Sequence, residues 1–137
     1  MQEIHLDVGF PPTVNSYYVH TKRGVFISKK GREFRLRVMH AANEQMVYGM
    51  KNDLRLSVDV ILYPPDKRQR DLDNYMKALL DAVTHAKIWE DDSQIDYLGI
   101  HRGKVVKGGM CRIRICEHHG FILPEVEDTA ALWNLLD

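Results

Sequence analysis

The run LRLSVDVILYPP, residues 54–65, followed closely by DLDNYMKALLDAV, residues 71–83, constrains this chain more than any other stretch. Leu54, Leu56, Val58, Val60 and Leu62 occupy alternate positions, the period of a strand with one buried face, and Pro64-Pro65 ends it because proline cannot donate to a ladder. Leu72, Tyr75, Met76, Leu79, Leu80 and Val83 then recur at helical spacing. A strand therefore feeds a helix whose apolar stripe has to pack on a sheet. IDYLGIHRG, 95–103, and GMCRIRICE, 109–117, read as two further strands joined across a turn at Lys107-Gly108-Gly109, and Ile4, Leu6, Val8 and Phe10 alternate as an opening strand that Pro11-Pro12 terminates.

The segment TVNSYYVHTKRGVFISKKG, 13–31, reads as a loop or short hairpin with a turn at Arg23-Gly24. Ser28 is placed to cap a helix running to about Gly49, with Phe34, Val38, Ala42 and Met46 on its inner face. Lys29 and Lys30 fall in its first turn, where the helix dipole disfavours positive charge; an anion would relieve them, as would extension into water. KIWEDDSQ reads as a loop, and Asp128 or Thr129 can cap a short helix, AALWNLL. The expectation is an α/β (α+β) fold: one small domain with a mixed or antiparallel sheet and two main helices over residues 1–117, then an acidic extension, 118–137, with a short C-terminal helix. Leu132, Trp133, Leu135 and Leu136 are expected to pack on the protein's own body.

A length of 137 residues suits one hydrophobic core, and 45% apolar with 28% charged residues is a globular composition. No apolar run approaches the roughly 18 residues of a membrane span, and MQEIHLDVGF alternates and carries acids, unlike a secretory signal. A cytoplasmic protein without membrane contact is expected. Cys111 and Cys116 lie an odd number of positions apart in a strand, hence on opposite faces, so no disulfide is expected between them; CEHH, 116–119, lacks the paired spacing of a zinc site. The net charge of zero conceals a division. All 19 Lys and Arg precede residue 115, so residues 1–116 carry 19 basic and 14 acidic groups, a net of +5, which suits a polyanion partner as well as it suits ordinary solvated surface.

RQRDLDNYMK, 69–78, places Asp71 and Asp73 beside a basic loop. Lys77 shares a helical face with Asp73, opposite the apolar stripe. In a continuous helix Asp71 would point about 200° away from Asp73, so the two converge only if the chain is extended up to Asp71. Glu90-Asp91-Asp92 follows a helix of roughly 15 residues, about 22 Å long. It returns only if strand IDYLGI runs beside the strand feeding the helix, with the acidic loop folding across the top of the sheet. Converged, Asp71, Asp73 and Asp91 or Asp92 would be hard oxygen ligands for Mg2+, able to support phosphodiester hydrolysis. The same spacing equally allows helix caps, an exposed Asp73–Lys77 pair and a solvated acidic turn. Asp96 reads as surface.

Three blocks together carry a wider resemblance. PPTVNSYYVH is similar to the PP-x-x-N-x-Y-Y segment of the RusA family of Holliday junction resolvases, RDLDNYMKALLDAVTHAKIWEDDSQIDY resembles that family's acidic helix and loop, and VVKGGMCRIRICE its closing hairpin, covering roughly residues 4 to 117. The resemblance implies a homodimeric endodeoxyribonuclease that resolves four-way junction DNA in recombination and repair by paired symmetric nicks, using Mg2+ or, in its place, Mn2+. It implies metal-binding carboxylates at Asp71, Asp73 and Asp92, selecting Asp92 over Asp91, a catalytic lysine at Lys77 and a supporting role for Asn74. Lys29, Lys30, Arg32, Lys67, Arg68, Arg70, Arg102, Lys104 and Lys107 are the expected phosphate contacts. The loop KRQR holds no bulky apolar residue to act as a wedge. A non-cleaving junction-binding protein is the alternative, and a structural protein with a solvated acidic surface a more distant one.

Overall fold

A computed structural model describes residues 3–51 and 53–120. The C-terminal helix expected at 130–136, and the packing expected of Leu132, Trp133, Leu135 and Leu136, lie outside the described residues. The elements run β1 (Glu3–Val8), α1 (Val14–Tyr17), β2 (Tyr18–Thr21), β3 (Gly24–Ile27), α2 (Lys29–Glu44), β4 (Leu56–Tyr63), α3 (Met76–His85), β5 (Ile95–Arg102) and β6 (Met110–Glu117), with 3-10 turns at Leu72–Tyr75 and Asp92–Gln94. This is the mixed α and β architecture expected from the sequence.

One mixed sheet has the order β1-β6-β4-β5, and β2-β3 form a separate hairpin. β5 runs parallel to β4, with Leu56 opposite Ile95 and Leu62 opposite Arg102, so β4, α3 and β5 make a crossover unit; β6 lies antiparallel on the other side of β4. β5 and β6, read from sequence as joined strands, are therefore not partners. Their linker passes over the end of β4, where Gly103 N–H donates to Leu62 O (2.8 Å) and Val106 N–H to Pro64 O (2.9 Å). The turn itself stands where it was expected: Gly109 N–H donates to Val106 O at 2.7 Å, and Gly108 and Gly109 supply positive φ at no steric cost.

Alternation on the strands puts Ile4, Leu6, Val8, Leu56, Val58, Val60, Leu62, Cys111, Ile113 and Ile115 on one buried face. α2 contributes Phe34, Val38 and Ala42 to that core, and α3 contributes Met76, Leu79, Ala82 and Val83. Burial pushes the Cys111 thiol up to about 12, and both cysteines are free. The opposite sheet face is polar and carries the Asp7–Arg112, Glu3–Arg114 and Asp59–Arg114 pairs.

Ser28 caps α2 as expected, accepting from Gly31 N–H at 3.0 Å. The helix stops at Glu44, short of Gly49, and Met46 leaves the inner face: it adopts φ 56° and is 70% exposed. Val47 N–H donates to Ala42 O and Met46 N–H to Asn43 O, a Schellman closure with a methionine in the left-handed position. The Gln45 side chain explains the tolerance, since it pairs with both backbone groups of Asp7 (2.8 and 2.7 Å) and stitches the helix end to β1. α3 ends in the same way, with Lys87 at φ 63°, Lys87 N–H donating to Thr84 O and Ile88 N–H to Val83 O.

Candidate active site

Pro64-Pro65 stop β4, and the loop after them never enters the helix directly. Asp71 has φ −88° and ψ 124°, an extended conformation, and only then does the chain turn into the 3-10 segment Leu72–Tyr75. The break needed to orient Asp71 apart from the helix is thus present. Its side chain makes no capping hydrogen bond. Asp73 forms no ion pair with Lys77, and the side chains of Asp71, Asp73, Asn74 and Lys77 are exposed. The bland arrangement of a cap and a surface pair is not the one adopted.

The loop before Asp71 is held by its own arginine. Arg70 pairs with Asp66 at 2.8 Å, also donates to Asp66 O (3.2 Å) and Arg68 O (3.3 Å), and lies 5.7 Å from the Phe10 ring centroid. Its side chain is only 14% exposed. Arg102, at the end of β5, donates to Arg70 O at 2.8 Å and so fixes the peptide leading into Asp71. These groups surround a cleft of about 930 Å³ lined by Asp66, Lys67, Arg68, Arg70, Asp71, Asn74 and Arg102 among others. Four of the nine basic residues expected to meet phosphate therefore share one cleft with Asp71 and Asn74. Lys29, Lys30, Arg32, Lys104 and Lys107 are exposed elsewhere, and Arg32 donates to Ile27 O at 2.9 Å.

At the far end of α3 the return loop is anchored from inside. Trp89 is buried and donates from Nε1 to Thr84 Oγ1 at 2.6 Å. Gln94, the buried polar side chain of the described residues, accepts from Glu90 N–H (2.9 Å) and Asp91 N–H (3.1 Å) and donates to Lys51 O (3.2 Å) and Leu54 O (3.0 Å). Asp91 caps the 3-10 turn that follows, accepting from Ser93 N–H, which holds its carboxyl below the ordinary range. Asp92 is left outside the cap.

The register places this loop beside the start of β4, because Ile95 pairs with Leu56, so the loop does not fold across the strand end that feeds the helix. Asp92 approaches the flank of α3 instead. Partial desolvation, its hydrogen bond with Asp91 and the like charges of Asp91 and Asp81 push its carboxyl upward, while Lys77 opposes them. α3 itself is 10 residues, about 15 Å, shorter than the periodicity suggested.

Asp81, one turn beyond Lys77, was not singled out in the sequence. It takes Arg35 Nη2 at 2.7 Å and the Tyr17 hydroxyl on the same oxygen, while Arg35 Nε donates to Tyr17 Oη at 2.8 Å. Burial of the ring, then the bond to Asp81, pushes the Tyr17 hydroxyl well above its ordinary range. This clamp joins α1, α2 and α3 behind Asp92. The signal available was spacing alone, an aspartate four residues after Lys77.

Among the described residues no three His, Cys, Asp or Glu side chains are gathered closely enough to cage a metal by themselves. The donor chemistry still fits a hard divalent cation: Mg2+ commonly takes one or two carboxylates, keeps waters and accepts substrate phosphate. Asp71, Asp73 and Asp92 are exposed carboxylates outside every ion pair of the described residues, as are Glu33, Glu44, Asp53, Glu90 and Asp91, whereas Glu3, Asp7, Asp59, Asp66, Asp81 and Asp96 are all neutralised by arginine.

Residues 9–116 match the family model described as Endodeoxyribonuclease RusA. The chain is similar to the crossover junction endodeoxyribonuclease rusA of Enterobacteria phage HK97, 38% identical over 121 residues that make up 85% of this chain and 97% of the relative. It is 33% identical over 118 residues to the protein of that name from Enterobacteria phage 82, and 31% identical over 118 residues to that of Escherichia coli (strain K12), with the same shares covered.

Proposed function

Because the chain belongs to the RusA endodeoxyribonuclease family, we propose that it is a crossover junction endonuclease that hydrolyses phosphodiester bonds at four-way DNA branch points. The observation that carries this reading is the shared cleft, in which Asp71 and Asn74 stand among Lys67, Arg68, Arg70 and Arg102. A cleft that pairs unneutralised carboxylate with excess cation suits a phosphate backbone bridged to a divalent ion.

Asp71, Asp73 and Asp92 would hold Mg2+, with Mn2+ as a substitute. When bound, the ion would supply Lewis-acid polarisation of the scissile phosphate and activation of water. The remaining work falls to this chain's own groups. Lys67, Arg68 and Arg102 receive the phosphates of the strand to be cut and set its register. Lys77, exposed and within electrostatic reach of Asp92, offers an ammonium to the charge that develops on the phosphoryl oxygens. Asn74 orients a phosphate or a neighbouring carboxylate from the first turn. Lys29, Lys30, Arg32, Lys104 and Lys107 extend the positive surface along the DNA arms. A homodimer would supply two equivalent sites for two equivalent strands.

The test is cleavage of a synthetic four-way junction and of linear duplex, each with and without Mg2+. Junction-selective, Mg2+-dependent nicks are the expected outcome, and Asp71→Asn should bind the junction while leaving it uncut. Binding without nicks under any divalent ion would make the chain a junction-binding protein instead, and Asp71→Asn cutting at the wild-type rate would overturn the site. No helix of the described residues is long and apolar enough to cross a membrane.

A further inference from the structure

The β2–β3 hairpin stands apart from the sheet and from the cleft. Every residue from Val19 to Phe26 is exposed, so neither face of the ribbon packs on the body. Val19 and Phe26 are direct cross-strand partners, 44% and 52% exposed, and Val25 on the other face is 57% exposed. An isolated two-stranded ribbon gains little from apolar residues that it does not bury, so an exposed aromatic on it is available to a partner.

The base of the ribbon is tied to the body by hydrogen bonds and lies on the Asp92 side of α3. Tyr17 is fully buried in the clamp with Asp81 and Arg35. Ser28 N–H donates to Tyr17 O at 2.9 Å and Ser28 Oγ to Ser16 O at 2.5 Å. Gly31 lets α2 close on this joint, since a Cβ there would meet Tyr17 O at 2.6 Å. Tyr18, the first residue of the ribbon, lies within the electrostatic reach of both Asp81 and Asp92. The tip turn is tied by Thr21 Oγ1, which accepts from Arg23 N–H and donates to Gly24 O, both at 3.1 Å.

Charge identifies the partner. No Asp or Glu occurs between Asp7 and Glu33, while Lys22, Arg23, Lys29, Lys30 and Arg32 fall in that stretch, with Lys22 and Arg23 at the tip. An apolar pair on a wholly basic arm suits a surface that is anionic outside and aromatic inside, which is nucleic acid with its bases unstacked. We infer that the β2–β3 hairpin is the wedge missing from the KRQR loop: Lys22 and Arg23 follow the phosphates while Phe26, backed by Val19, occupies the opened base step at the junction centre. This rests on the reading of the chain as a junction nuclease.

The experiment places 2-aminopurine at the exchange point of a four-way junction and follows its fluorescence on binding, in an Asp71→Asn background that prevents cutting. The ribbon as it stands should raise the fluorescence; Phe26→Ala should abolish the rise without weakening duplex binding, and Phe26→Trp should restore it. In the cutting-competent protein Phe26→Ala should slow junction cleavage roughly 10-fold, the size expected for loss of one base-stacking contact. Removing Lys22 and Arg23 together should instead lower affinity for every DNA and reduce the slope of log affinity against log salt by about 2. An unchanged fluorescence rise in Phe26→Ala would overturn the inference. So would a fall in sedimenting mass of that variant at matched concentration, which would assign the apolar pair to a second copy of this chain. Absence of any junction preference in the Asp71→Asn protein with Phe26 intact would count against the nuclease reading itself, and the two failures are therefore distinct.

Discussion

The two loops that flank α3 both carry acidic residues, yet they are built by opposite means. The strand-exit loop, ending at Asp71 and Asp73, is held from outside by arginines: Arg70 folds back on Asp66, and Arg102 grips the Arg70 carbonyl. The return loop, ending at Asp92, is held from inside by one buried amide, Gln94, and by Trp89. Each loop spends one carboxylate on its own architecture. Asp66 and Asp91 do that work, which leaves Asp71, Asp73 and Asp92 free of arginine. This organisation suits the proposed cation site, because a carboxylate already paired with a guanidinium binds a second cation weakly.

The largest effect should come from the carboxylates themselves. Asp73→Asn removes a charge and no hydrogen bond of the described structure, so junction cleavage should fall at least about 10²-fold while thermal stability stays near wild type. A stopped-time cleavage assay beside a melting curve separates the two. If melting fell as far as cleavage, Asp73 would belong to the fold and the contrast between holding acids and open acids would fail.

Gln94→Leu attacks the return loop where it is strongest. It strands two N–H groups and two carbonyls in a buried setting, at a cost of about 3 kcal/mol and a Tm lower by roughly 10 °C. Cleavage should weaken as well, since Asp92 loses its fixed approach to α3. Arg102→Met is the corresponding change on the strand-exit side and should behave differently. One exposed hydrogen bond to Arg70 O is lost, costing about 1 kcal/mol, so melting should barely move while junction cleavage and junction affinity both fall several-fold. Equal losses of stability in the two variants would erase the distinction between the loops.

Much of this arrangement was legible because it depends on local rules. Alternation located β1 and β4, the Ser28 hydroxyl marked the start of α2, and the angular argument at Asp71 required the extended residue that is present. What escaped depends on tertiary partners. Met46 and Lys87 close their helices in the left-handed region without glycine, so nothing in the local sequence announced either end. β5 and β6 looked like a hairpin because their glycine turn is genuine, but the register is decided by β4, which both strands prefer to flank. Gln94 resembled any loop glutamine, because its four partners come from residues near and far. Asp81 was hidden in the same way, since only Arg35 and Tyr17, 46 and 64 positions away, reveal its role.

Arg55 gives the smallest expected effect and the sharpest control on the return loop. It bonds both oxygens of Asp96 (3.1 and 2.6 Å) and donates to Ser93 O at 2.7 Å, so it braces the turn beside Asp92 from the solvent side. The contact with Arg55 holds the Asp96 carboxyl below its ordinary range. A depressed folded pKa means that the pair stabilises fully above the unfolded value and is lost as pH falls through the folded one. Arg55→Gln should therefore lower Tm slightly at neutral pH and low salt, and the gap from wild type should close both in acid and at high salt. Cleavage at neutral pH should hardly change, because Gln94 still fixes the loop. A loss of cleavage in Arg55→Gln comparable to that in Gln94→Leu would show that the outer brace, rather than the buried amide, sets the position of Asp92.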